Sequence, residues 1–480
     1  MPRHAGAGAT GGDVLATAWQ ALGGDPALLA GLTVRGDVGL ASPFAVESLA
    51  LGAVGAQVLA AAELAAQEHA GGARGADAQQ HAVGHVELDA RHVGIAFRSE
   101  RFLEVDAVAS GPGFAPLSRF IPTADGSVRL HANYPQHRAA IARALGPDPL
   151  AAAARLTGPE VEDRVVAAGG VAAVVRTAQE WRQHPQGQAL EALPLVQLER
   201  VAAGPRAPTR PVPSIRGLRV LDLTRVLAGP IGTRTLASYG ADVLRVDNPR
   251  SPEDPATLLE TGPGKRHVEL DLAAGADRDR FDELLDHADV LVQGYRPGAL
   301  AALGLHPDRL AQRWPDLVVV TLSAWGTSGP WSGRRGFDSV VQAATGIADG
   351  ARDAAGAPGV LPAQALDHGA GHLIAALVLR ALTRRRREGG TWHGELSLAG
   401  LASWLTAAPR PAGPPSAPVE PVDAAPYLVR LPSAAGVLTL VRPPGSPTWP
   451  AGPVHLAPAE ARWRDRGPTP PAGRGGQKVP

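Results

Sequence analysis

Six consecutive residues, Asp367-His368-Gly369-Ala370-Gly371-His372, concentrate the reactive side chains of this sequence. Asp367 follows the apolar run VLPAQAL and opens a strongly apolar helical pattern, GAGHLIAALVLRAL. A carboxylate there can cap the helix by accepting its free N–H groups. It can also act as a nucleophile toward an electrophile brought to it. Gly369 and Gly371 lack Cβ, so a ligand could approach the backbone closely. His368 and His372 stand four apart on one helical face, but a catalytic metal normally takes three protein ligands. No further His/Asp/Glu cluster with ligand spacing accompanies them, and no metal is expected.

Other segments offer less. The loop TRVLAGPIG at 224–232 joins a strand-like to a helix-like segment and could cradle a dinucleotide, with Asp247 as the ribose acid. Its glycines do not fall as G-x-G-x-x-G demands, although a helix start can bind an anion in other ways. GTSGP at 326–330 is not G-x-S-x-G and reads as a turn. The absence of cysteine excludes disulfides, Cys-zinc sites, iron–sulfur clusters and thiol nucleophiles, and is compatible with the reducing cytoplasm expected here. With 46 basic and 46 acidic residues there is no basic excess for nucleic acid. Arg384 to Arg387 form the one dense basic run, expected to be a solvated cap on a helix C-terminus. No uninterrupted apolar run approaches the roughly 18 residues of a membrane span, and the N-terminus lacks a signal-peptide pattern. A soluble protein without nucleic-acid or membrane partners is expected.

The elements that must position Asp367 lie in a central block, 217–406. There, strand-like runs (218–223, 242–247, 267–272, 289–292, 317–322) alternate with helical patterns (231–239, 278–287). This predicts an α/β fold, an open and mainly parallel Rossmann-like sheet with helices on both faces. The chain has 480 residues, of which 45% are hydrophobic, enough for two or three cores. Pro-rich stretches at 203–216 and 407–421 read as linkers, and 467–480 as a flexible tail. The N-terminal block, 13–202, predicts a smaller α+β domain. It has an Ala-rich helix over 46–68, strands near 85–89 and 101–106, a hairpin over 120–131 turning on Asp125-Gly126, and helices at 136–145 and 160–168. Helix 46–68 followed by HVELDA resembles helix 370–386 followed by HGELSLA, a weak duplicated helix–strand unit.

GLRVLDLTRVLAGPIGTRTLASYGADVLRVDNP (217–249), GKRHVELDL (264–272), ADVLVQGYRPGALAALGL (288–305), LSAWGTSGPWSGRRGFDSVVQAATGIA (322–348) and ALDHGAGHLIAALVLRAL (365–382) together resemble class III CoA-transferases, of the formyl-CoA transferase and L-carnitine CoA-transferase kind. The resemblance implies that Asp367 is the aspartate that forms acyl-aspartyl anhydride and aspartyl-CoA thioester intermediates. It implies CoA contacts at Val226, Leu227, Ala228, Leu270, Tyr295, Arg296, Gly298 and Arg335, with polar active-site positions at Asp338 and Gln342. Lys265, one of two lysines, reads equally as a phosphate charge or a solvated surface residue. Oxyanion donors are expected near Gly369–Gly371 or in the 227–229 loop. The implied partners are an acyl-CoA and a carboxylic acid, with no tightly bound cofactor and CoA present only as part of substrate. A homodimer is left open.

The departures from that family carry their own expectations. Leu227 stands where formyl-CoA transferase-like members have Gln, and Asn248 where they have a basic residue, which favours a bulkier or less polar acyl group. Phe337 stands where the related racemases have His, which disfavours racemisation. Segments 117–146 and 180–196 resemble the family's later half yet precede its first half, and 437–456 resembles its terminal strands. The chain therefore reads as a rearranged, fused form. In that form 13–202 supplies the small domain with a degenerate nucleophile region, and 422–466 completes the large domain. The alternative reading is a non-catalytic or vestigial acyl-CoA-binding protein of the same fold; acyl-CoA isomerase chemistry ranks third.

Overall fold

The computed structural model describes residues 10–69, 83–111, 113–202, 212–411, 421–449 and 458–465. Much of both Pro-rich stretches, residues 450–457 and the tail from 466 lie outside these. In the N-terminal block, β1 (Leu32–Arg35) pairs in parallel with β2 (Val86–Asp89). Residues 101–106, read as one strand, instead form a 3-10 turn (Ser99–Phe102) and the two-residue β3 (Glu104–Val105), which pairs with β4 (Val108–Ala109). Asp106 and Ala107 adopt positive φ there, so the chain doubles back too soon for a longer strand. The hairpin forms from β5 (Phe120–Pro122) and β6 (Ser127–Leu130), with β7 (Ala172–Val174) alongside. β8 (Gln197–Ala202) leaves this block altogether.

The central sheet contains β9 (Arg219–Leu223), β10 (Asp242–Asp247), β11 (Lys265–Glu269), β12 (Val290–Gln293), β13 (Val318–Ser323) and β14 (Thr391–Ser397). In space the order is β11-β10-β9-β12-β13-β14-β8; the first six strands are parallel, and β8 closes the edge antiparallel to β14. Helices on both faces bury β13 along its whole length, which is why its sequence is a continuous apolar run rather than an alternation. β11 begins two residues earlier than the apolar pattern suggested. Lys265 is drawn into the interior by Asp222, whose carboxylate lies 2.9 Å from Nζ.

The C-terminal strands β15 (Leu428–Ser433) and β16 (Gly436–Val441) do not extend this large sheet. They join β3 and β4 in a separate four-stranded sheet. Residues 458–465 do reach the large sheet, where Ala459 N–H donates to the His267 carbonyl at 2.7 Å. The helix Ala365–Glu388, which carries Asp367, runs through the centre. It packs against Val46–His69 on one side and Ala228–Ser238 on another. By length and composition Val46–Glu68 could cross a membrane; here 83% of its apolar window is buried inside the molecule.

Several expectations are corrected at these helix contacts. A Cβ on Gly371 would stand 2.7 Å from the Ala228 carbonyl oxygen, and one on Gly232 2.7 Å from that of Gly371. Gly369 faces Leu49. These glycines therefore let helices approach one another; they do not open the backbone to a ligand. The Arg384–Arg387 run is not a solvated cap. Arg385 is buried against Asp316 at 3.2 Å, Arg386 reaches Glu68 at 3.2 Å, and Arg387 reaches Glu63 at 3.0 Å.

Candidate active site

Strand order reverses between β9 and β12: β10 and β11 build outward on one side, β13 and β14 on the other. Loops leaving two such strands part in opposite directions, so a crevice opens at their carboxyl ends. A cleft of about 400 Å³ lies there. Leu223 and Thr224 at the end of β9, Gly294 and Tyr295 after β12, and Leu322 to Ala324 at the end of β13 form its walls, and Asp367 lines it too.

Asp367 sits in the first turn of its helix but does not cap it. The cap comes from Asp338, 29 residues earlier, which accepts hydrogen bonds from the backbone N–H groups of Leu366 (2.9 Å) and Asp367 (3.1 Å). Gln342 donates its amide to Asp338 and accepts from Leu361 N–H at 2.9 Å. The Asp367 carboxyl is thereby left free to face the cleft, 7% exposed. Burial pushes both carboxyls up. The hydrogen bonds to Asp338 hold it at about 6, whereas the charges of Asp338 and Glu100 add to burial at Asp367 and raise it well above the usual carboxylate range.

The two histidines beside Asp367 point into the N-terminal block. His368 Nε2 lies 3.0 Å from Glu100, and His372 Nδ1 lies 3.1 Å from Gln57, with Phe97 stacked against both rings. Among the described residues no group of three or more His, Asp or Glu could hold a metal. From His368 onward the backbone N–H groups are committed to the helix, beginning with His368 to the Gln364 carbonyl. Gly369–Gly371 therefore cannot supply an oxyanion hole.

The loop before helix Ala228–Ser238 is held from below. Buried Asp222 accepts from Thr224 N–H (3.0 Å), Thr224 Oγ1, Thr233 Oγ1 and Lys265 Nζ. Lys265 also donates to the Pro230 carbonyl at 2.8 Å, and burial lowers it to about 8. It is neither a surface lysine nor a group facing the cleft. Val226 takes φ +66°, a left-handed conformation that a β-branched residue rarely adopts, and its N–H donates to Glu253 at 3.1 Å. Asp247 is buried between Arg245 and His267, at 2.8 and 3.0 Å, and so is not free to bind a ribose.

Of the residues singled out in the sequence, Val226, Ala228, Tyr295, Arg296, Arg335 and Asp367 line this cleft. Leu270 lines a neighbouring hollow of about 230 Å³ with Asn248 and Arg250; the two hollows share Leu223, Tyr295 and Ala299. Leu227 is buried ahead of its helix, Gly298 makes a turn at φ +86°, and Asp338 and Gln342 lie behind the wall. Arg296 and Arg335 are exposed and, among the described residues, paired with no carboxylate; their nearest acceptors are the carbonyls of Gly333 (3.4 Å) and Gly169 (3.3 Å).

Sequence reasoning missed Arg225, Tyr134 and His137. Tyr134 donates to Glu253 at 2.6 Å, and the Arg225 guanidinium lies over the Tyr134 ring. His137 shares a 3.2 Å contact with His131, whose ring is stacked on Phe337 at 3.7 Å. The signal available was NYPQH at 133–137, within a segment already compared with the family. Nothing in the spacing tied it to the cleft.

Fold and site together define an α/β scaffold that presents a buried carboxyl in a switch-point cleft. Residues 215–412 match CoA-transferase family III. A probable fatty acyl-CoA transferase of Mycobacterium tuberculosis (Rv3272) is 35% identical over 38% of this chain and 49% of its own length. An acetyl-CoA:oxalate CoA-transferase of Acetobacter aceti is 34% identical over 29% of this chain and 39% of its own. A solved structure of a CAIB/BAIF family protein from Brucella suis is 26% identical, with a TM-score of 0.38, over 46% of this chain and 64% of that one. The chain spans about half or less of the curated relatives it matches.

Proposed function

We propose that this protein is a CoA-transferase moving CoA from an acyl-CoA to a carboxylic acid, with Asp367 as nucleophile. The observation that carries the reading is the division of labour between two aspartates: Asp338 caps the helix, and the carboxyl of Asp367 is left facing the cleft. An oxygen of ionised Asp367 attacks the thioester carbonyl, the C–S bond breaks, and CoA leaves as thiolate. The thiolate then attacks the aspartyl carbonyl of the anhydride and expels the donor acid as carboxylate. An acceptor carboxylate attacks the resulting aspartyl thioester, and the thiolate released takes the new acyl group, which restores Asp367. Each exchange trades bonds of similar energy and needs no metal.

Arg296 and Arg335 are suited to the phosphates of CoA, since a guanidinium offers two parallel donors to an anion. The smaller hollow at Leu270 and Tyr295 would take the nucleotide end, and the Asp367 cleft the pantetheine arm. The N-terminal block fits the role of a rearranged small domain, because it supplies Tyr134, His137 and the Glu100 and Gln57 contacts to the Asp367 helix.

The test is a mass spectrum after incubation with a panel of acyl-CoAs, with hydroxylamine trapping. Asp367→Ala is expected to lose turnover by more than about 1000-fold and to show no adduct, while the wild type carries a hydroxamate on Asp367 after trapping. Full turnover in the alanine variant with a competent acyl-CoA would overturn the assignment.

A further inference from the structure

A second cavity, of about 280 Å³, lies at the carboxyl ends of β13 and β14 beside the Asp367 cleft. Ser323, the last residue of β13, lines both. The end of β14 also runs between them, with Leu396 and Ser397 on the second cavity and Leu398 on the cleft. The two spaces therefore lie side by side, with Ser323 and the end of β14 between them.

Its chemistry differs from that of the cleft. Buried Trp181, Leu190 and Leu195 come from the N-terminal block and meet Leu396 and Trp404, giving mainly apolar walls. Two carboxyls interrupt them, Glu191, which is exposed, and Glu395. Glu395 accepts a hydrogen bond from Thr327 Oγ1 at 3.2 Å, and its side chain is 25% exposed. Burial, with the charge of Glu199 added to it, raises Glu395. The surroundings thus resist a further negative charge and favour a donor that the carboxyl can accept from. Arg182, the single cation on the wall, is exposed.

We propose that this cavity holds the tail of the acyl group whose carbonyl is presented to Asp367, and that it selects an aliphatic tail ending in a hydrogen-bond donor, a hydroxyl or an amine, over one ending in a carboxylate. The proposal rests on the transferase reading for the identity of the ligand, but its test does not require turnover. Apolar burial makes affinity rise with tail length, and a site built to accept a hydrogen bond penalises a tail that lacks the donor.

Isothermal titration of the whole protein with acetyl-CoA, octanoyl-CoA, ω-hydroxyoctanoyl-CoA and suberyl-CoA decides it. Affinity is expected in the order ω-hydroxyoctanoyl, octanoyl, then acetyl, with suberyl-CoA weaker than octanoyl-CoA. Ala407 is exposed on the cavity wall, so Ala407→Trp should fold and obstruct the space. It is expected to reduce the octanoyl-over-acetyl advantage about tenfold. Glu395→Leu should remove the ω-hydroxyl advantage and keep the length dependence. If tail length does not affect binding, or its advantage survives Ala407→Trp, the tail does not lie here and the proposal fails, whether or not an Asp367 adduct forms. Length-dependent binding lost in Ala407→Trp, together with an ω-hydroxyl advantage lost in Glu395→Leu, upholds it even if no adduct is ever seen; an ω-hydroxyl advantage that is absent or survives Glu395→Leu overturns the donor selectivity.

Discussion

Two aspartates meet at the first turn of one helix, and their environments separate their tasks. At Asp338 burial raises the carboxyl and surrounding donors limit the rise to about 6; at Asp367 burial and two neighbouring carboxylates all raise it, well above the usual carboxylate range. On the proposed mechanism the proton leaves before Asp367 attacks, so activity is expected to be lost as pH falls through its raised pKa. Because folding favours the protonated form, the stability linked to Asp367 is present at low pH and declines as pH rises through the same value. Asp338→Asn keeps an oxygen for the two N–H groups but removes the charge. Its expected effect is to move the acid limb of the kcat/KM profile about one unit lower, read from rates across pH. The place of Asp367 at the start of an apolar helix was legible from the apolar run on each side, but the capping role that this place offers falls to Asp338 instead. The capping role of Asp338 was not legible, since nothing local marks a partner 29 residues away.

The loop between β9 and the helix Ala228–Ser238 shows strain kept in place by its surroundings. Glu253 holds the Val226 N–H and binds Arg225 at 3.2 Å, while Asp222 anchors Thr224. A valine held at φ +66° costs on the order of 1 kcal/mol. Val226→Gly relieves that strain but frees the unfolded chain by a similar amount, so stability in denaturant unfolding should change little while kcat/KM falls several-fold by loosening a cleft wall. Strand–helix alternation was readable here because strand runs and helical patterns have different periods. The left-handed turn was not, because no glycine or asparagine announces it. The start of β11 was misjudged for a similar reason: Lys265 looks like a polar boundary until its buried partner is known.

Across the molecule, the N-terminal block is bound to the Asp367 helix by ion pairs as well as apolar packing. Arg380 and Glu63 are both about 1% exposed and pair directly, and Arg380 also donates to the carbonyl of Gly23 at 2.6 Å. Glu63→Ala would leave a buried guanidinium without its counterion. A loss of about 3–5 kcal/mol is expected in chemical unfolding, with partial recovery when Arg380 is also replaced by Met. Composition indicated separate blocks divided by prolines, and the mainly parallel sheet could be read from its apolar runs. The antiparallel pairing of β8 with β14 could not, because both strands are short and the ladder forms only after almost 200 intervening residues have folded. That ladder bears on how the chain can be divided. A fragment trimmed to 215–412 would bare the outer row of amides and carbonyls on β14, which is then an open template for another copy, together with the apolar helix surface that Val46–His69 now covers. The family-matching segment thus carries the cleft, while residues outside it cover one strand edge and one helix face.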